Sequence, residues 1–116
     1  MEADGVREMS GRSRGEPPKT LINKGYPFQV VLYLTDELRQ RLLEVIADEH
    51  RLGAYHLHGY QYHEGYHFSI VKFASEEGQQ EFIRLYGGVP YDPTDKKSKP
   101  WETYFETTPC ERPNSS

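Results

Sequence analysis

The sequence predicts an α+β domain of ferredoxin-like type, a βαββαβ chain whose four-stranded antiparallel sheet carries two helices on one face. Three observations predict it. Short runs rich in β-branched and aromatic residues are bounded by Gly and Pro, two longer stretches repeat apolar residues at helical spacing, and the two kinds alternate along the chain.

The first strand is expected after Pro27, where Phe28, Val30, Leu32 and Leu34 fall on one side of an extended run. Thr35 can cap a helix whose first turn holds Asp36 and Glu37 at the positive end of the dipole. Leu38, Leu42, Val45 and Ile46 then recur at helical spacing to about Leu52, and Gly53 ends the helix. Ala54 to His63 and Tyr66 to Phe73 read as the two arms of a hairpin. A three-residue loop, His63-Glu64-Gly65, with only Gly65 left-handed, is the expected turn, and it sets Tyr62 opposite Tyr66, Tyr60 opposite Phe68, His58 opposite Ile70 and Leu57 opposite Val71. A two-residue Glu64-Gly65 loop would turn one arm over relative to the other. Ser75 caps a second helix, with Glu76 and Glu77 in its first turn, Phe82, Ile83, Leu85 and Tyr86 near its end, and Gly87-Gly88 as its stop. Val89 to Pro100 reads as a proline-punctuated loop, and the alternation of Trp101, Thr103 and Phe105 with Glu102, Tyr104 and Glu106 predicts the fourth strand.

The ends differ in character from the middle. An apolar content of 35% and a mean hydropathy of −0.84 are low for a fully packed chain of 116 residues. Residues 1–24 are therefore expected to be a disordered polar leader, 25–107 a single domain and 108–116 a disordered tail. Up to Thr20 four acids offset four bases, so the net charge of −4 belongs to the middle. That sign argues against duplex DNA and anionic membrane surfaces, which reward clustered Lys and Arg. The basic run Lys96, Lys97 and Lys99 reads as a solvated loop. One cysteine, Cys110, allows neither an intrachain disulfide nor a zinc cluster and favours the cytoplasm. No apolar run reaches the roughly 18 residues of a membrane span.

With the helices on one face of the sheet, the preferred register leaves Val31, Tyr33, His56, His58, Tyr60, Tyr62, Tyr66, Phe68 and Ile70 on the other, with Lys72 at the margin. An aromatic surface of this kind marks an interaction site, unless the Trp101 segment, the long loop or the leader folds over it. The expected function is a binding domain acting through this face on protein, either a second copy or a different partner. Tyr66-His-Phe-Ser-Ile-Val-Lys-Phe73 with Ala74-Ser-Glu-Glu-Gly-Gln-Gln-Glu-Phe82 resembles the third strand and second helix of an RNA recognition motif. That resemblance implies base stacking on Tyr33, Phe68 and Ile70, with Val71 and Phe73 in the core, and makes a single-stranded RNA-binding domain the second expectation. The sequence departs from the motif where Tyr66 and His67 replace a basic residue and glycine and where Ile70 replaces a ring, so the likeness argues more for the fold than for RNA.

Four of five histidines lie between His56 and His67, and His56 with His58 could share a metal from one strand face. No third ligand stands nearby in sequence, so surface histidines among tyrosines are expected, with no cofactor; in an interface their charge near neutral pH would make association pH-dependent. Glycine-rich phosphate loops, nucleophile elbows and paired carboxylates are lacking, which argues against an enzyme, though a small enzyme built on a His-Tyr pair such as His58 with Tyr60 is the third expectation.

Overall fold

A computed structural model describes residues 18–112. Among them the chain runs through helix α1 (Lys19–Gly25), strand β1 (Phe28–Leu32), helices α2 (Asp36–Gln40) and α3 (Leu42–Arg51), strands β2 (Gly59–His63) and β3 (Tyr66–Phe73), helix α4 (Glu76–Tyr86), strand β4 (Val89–Tyr91), a 3-10 turn (Pro100–Glu102) and helix α5 (Tyr104–Thr107). The fold is α+β, and its four strands lie in the order β2-β3-β1-β4 with every neighbouring pair antiparallel.

The caps stand where the sequence puts them. The Thr35 side chain accepts from the Leu38 amide at 3.2 Å, and Ser75 accepts from the Gly78 amide at 3.1 Å, each satisfying a donor that the first helical turn leaves open. The helix expected from Asp36 to Leu52 is broken at Arg41, whose backbone leaves helical geometry at φ −104°, ψ 22°. Residues 19–25, expected mostly within the unstructured leader, instead form α1, with Ile22 buried at 5% exposure. The buried Gln29 side chain anchors this helix, its Nε2 donating to Asn23 Oδ1 and to the Tyr26 carbonyl, both at 2.9 Å. The rest of the expected leader and the end of the expected tail fall on residues outside those described.

Two expectations about strands are corrected. The hairpin turn has two residues, with Glu64 at φ 51° and Gly65 at φ 88°, and both left-handed positions together make the type I′ geometry whose twist matches that of the flanking strands. His63 therefore pairs with Tyr66, Tyr62 with His67, Gln61 with Phe68, Tyr60 with Ser69 and Gly59 with Ile70. Relative to the expected register β2 has turned over. The strand is also shorter than expected, because Ala54 still bridges Phe73 while Gly59 opposes Ile70, so residues 55–58 number two more than the chain opposite, and past the Tyr55 amide's bond to the Lys72 carbonyl at 2.7 Å the segment leaves the ladder.

The fourth strand is Val89–Tyr91, and Trp101 to Thr107 is helical. Gly87 at φ 90° and Gly88 at φ 107° reverse the chain directly after α4, so Val89 comes to lie beside Val31. A Cβ on Gly88 would meet Val30 Cγ1 at 2.6 Å and the Val31 carbonyl oxygen at 2.9 Å, so this turn needs glycine for space as well as for φ. Pro90, which has no amide hydrogen, is tolerated because β4 is an edge strand.

One sheet face packs Val30, Leu32, Val71 and Phe73 against Val45 of α3 and Phe82 of α4. The opposite face, expected to lie open, is covered. Val31, Phe68 and Ile70 there form a second core with Tyr104, flanked by Trp101, Phe105, Val89 and Tyr91. The alternation read as a strand in Trp101 to Thr107 comes from residues that roof the sheet from two short helical turns.

Candidate functional site

The nine residues expected to share one surface divide into three groups. Val31, Phe68 and Ile70 are buried, at 0%, 1% and 8% exposure. Tyr33 and Tyr66 are half-buried at the rim of the same cluster, where the Phe105 ring meets those of Tyr33 at 5.5 Å, Tyr66 at 5.0 Å and Phe68 at 5.8 Å. The Tyr104 hydroxyl fastens this roof by accepting from the Tyr33 amide at 3.1 Å, and burial pushes its pKa up to about 12. Phe68 and Ile70, where the RNA recognition motif stacks bases, are thus occupied from within the chain.

The other four, His56, His58, Tyr60 and Tyr62, lie elsewhere. The register turns Tyr60 and Tyr62 to the face of Val71 and Phe73, which α3 and α4 cover only in part; Tyr60 remains 70% exposed and Tyr62 58%. His56 is exposed beside the Tyr55 ring at 4.6 Å, and His58 turns to Glu49 of α3, Nε2 to Oε1 at 2.8 Å. The two histidines are thus engaged separately, and among the described residues no three His, Cys, Asp or Glu side chains are grouped to hold a metal.

Helix α3 decides what surrounds Tyr60. Its inner stripe is Val45, Glu49 and Leu52, with Glu49 buried at 6% exposure. At about 100° a residue, Leu42 and Ile46 lie within about 60° of Glu49 on the side away from Asp48, with Leu43 further round. Asp48 faces α4, where its carboxylate accepts from the Tyr86 hydroxyl at 2.5 Å and from Arg51 Nε at 3.1 Å, contacts that hold it below the usual carboxylate range. Burial and Asp48 together push Tyr86 up to about 12, and Arg41 stacks over its ring at 5.5 Å while pairing with Glu44. The charged groups of Glu44, Asp48 and Arg51 therefore lie on the α4 side of α3, and Glu49 turns inward to His58.

The opposite flank is largely apolar, with the exposed His50 falling between Ile46 and Leu43 by the same count. Leu42, Leu43 and Ile46 are 36%, 84% and 45% exposed, and Leu57, leading toward β2, is 42% exposed. With Tyr60 and Tyr62 they make up the large exposed hydrophobic side chains of the described residues, Leu21 apart. From Leu52 to His63 the chain carries no Asp, Glu, Lys or Arg, in a protein that is 28% charged. Leu42 and Ile46 were expected in the packed stripe, and both stay partly exposed at its edge while Val45 is buried; the buried Glu49 could have been noticed only by pairing it with a histidine nine residues on.

The backbone of β2 adds a second feature. In a two-residue hairpin His63 and Tyr66 are a hydrogen-bonded pair, so Gln61 and Gly59 also turn their amide and carbonyl groups toward β3, and Tyr60 and Tyr62 turn theirs outward. No strand among the described residues pairs with that outer side. The Gln61 side chain reaches along it, Nε2 donating to the Tyr62 carbonyl at 3.1 Å.

Compared with protein-family models, curated proteins and solved structures, the chain matches none. No helix among the described residues is long and apolar enough to cross a bilayer.

Proposed function

We propose that this chain is a non-enzymatic protein-interaction module whose binding surface is the outer edge of β2 and the adjoining flank of α3. The ferredoxin-like reading of its fold is supported by the strand order β2-β3-β1-β4 and by α3 and α4 sharing one sheet face. One observation carries the functional reading: the exposed large hydrophobic side chains gather, Leu21 apart, on α3 and on residues 57–62, and charged residues are missing from that stretch. Interface centres are built this way, enriched in Tyr and depleted of Asp, Glu and Lys. Tyrosine also contributes large contact area at little conformational cost.

The test is site-specific photo-crosslinking in cells that make the full chain. A benzophenone side chain at Tyr60 should give protein adducts that the same group at Gln80, exposed on α4, does not. Absence of any adduct specific to Tyr60 would reject the reading.

A further inference from the structure

The edge that no described strand pairs and the largely apolar flank together fit one partner. We infer that the surface pairs with a second copy of the same chain, β2 against β2 about a two-fold axis through Gln61, joining two sheets into one of eight strands. The inference rests on the interaction-module reading above and adds the identity of the partner and the register.

The backbone supports self-pairing. Its outward groups belong to Tyr60 and Tyr62, which are placed symmetrically about Gln61. An antiparallel two-fold pairing sets Tyr60 of one copy opposite Tyr62 of the other, so each outward amide meets an outward carbonyl in four hydrogen bonds. Gln61 gives up its bond to the Tyr62 carbonyl, and that acceptor passes to the partner's amide. The other edge is poorly suited to the same role, because β4 has three residues and the central one is Pro90. Strand β2 has five residues and carries neither proline nor a formal charge, the usual guards of an edge.

Charge and area point the same way. Two chains of net charge −4 repel across most of their surfaces, but the stretch from Leu52 to His63 brings no charged side chain to the contact. The axis stands perpendicular to the sheet, so both α3 helices lie on one side of it. Four tyrosines then form a seam, with Leu42, Leu43 and Ile46 of each copy flanking it. The six exposed hydrophobic side chains of one copy present roughly 600 Å², most of the ~800 Å² per partner of a standard interface before the strand backbone is added.

The test combines sedimentation of the full chain with disulfide trapping. The axis passes beside Gln61 and makes it a non-hydrogen-bonded pair with itself, whose Cα atoms stand about 4.5 Å apart, within disulfide range. In a Cys110→Ser background, Gln61→Cys should form a covalent dimer on mild oxidation, and Gln80→Cys should not. The uncrosslinked chain should sediment as a concentration-dependent dimer weakened at least tenfold by Leu43→Lys. Leu43 is 84% exposed, so its replacement spares the fold, and far-UV circular dichroism checks this. A chain that stays monomeric overturns the inference. So does a dimer that ignores Leu43→Lys and is not trapped by Gln61→Cys. In either case Tyr60 adducts with a different protein would keep the module reading alive, and no adducts would end both.

Discussion

His58 Nε2 lies 2.8 Å from Glu49 Oε1, a link between the segment entering β2 and a carboxylate of α3 that is otherwise withdrawn from water. Glu49 Oε2 has no hydrogen-bond partner among the described residues, so His58 is what compensates this buried group. His58→Ala should therefore lower unfolding free energy by about 1–3 kcal/mol in urea titrations. The double variant Glu49→Leu, His58→Leu should recover much of that loss, because it removes the buried polar group together with its partner. A double variant worse than the single one would show that the pair stabilises the fold outright.

The turn at Glu64-Gly65 offers a gain in stability. Glutamate at φ 51° is held where side chains other than Asn and Asp rarely go. Glu64→Asn should raise stability by about 0.5–1 kcal/mol without changing the pairing, and Gly65→Val should cost more than about 1 kcal/mol. Thermal melting of the two variants against the parent checks both signs.

Neighbouring glycines after α4 should respond unequally. Gly87 and Gly88 share positive φ, but a Cβ on Gly87 meets nothing within 4 Å whereas one on Gly88 strikes β1. Gly87→Ala should cost about 1 kcal/mol and Gly88→Ala about 3 kcal/mol or more. Equal losses, measured by chemical denaturation, would contradict the close approach to Val30.

High pH should release the roof over the second sheet face. Tyr104 has a pKa raised from 10.0 to about 12 by burial, so the folded state favours its neutral form. The associated stability is fully present below pH 10 and is lost as the pH rises from 10 toward 12, up to about 2 kcal/mol for this group. Tyr104→Phe should flatten that decline and cost about 1 kcal/mol at neutral pH through the lost bond to the Tyr33 amide. Trp101, the single tryptophan, sits in the same roof with its ring 5.4 Å from that of Tyr91, and its fluorescence reports the release directly.

Much of this molecule can be read from local chemistry. Thr35 and Ser75 cap where their position before acidic residues says they should, because a cap is decided within four residues. Strands β1 and β3 were legible from β-branched and aromatic runs. The errors share a cause, which is that the deciding contact was distant or that two local solutions were nearly equal. The register of β2 turned on whether Glu64 would accept a left-handed backbone, and that one choice moved Tyr60 and Tyr62 across the sheet. Trp101 to Thr107 alternates like a strand, yet Val89–Tyr91 already holds the place beside β1, and the later segment buries its rings from a helix instead. The candidate surface was half visible: its tyrosines were named, but Leu42 and Ile46 share the helical spacing of the buried Val45, and only the way α3 packs on the sheet decides which of them stay in water.

Pro90 has a consequence beyond its own strand. A sheet with two receptive edges would go on recruiting chains from both sides, in the manner of a growing fibre. Here one edge is short and has at its centre a residue with no hydrogen to give, so a strand added along β2 would complete the assembly and leave no receptive edge for the next. On the proposed β2 pairing, a single proline shortly after α4 would thereby set an upper limit on stoichiometry.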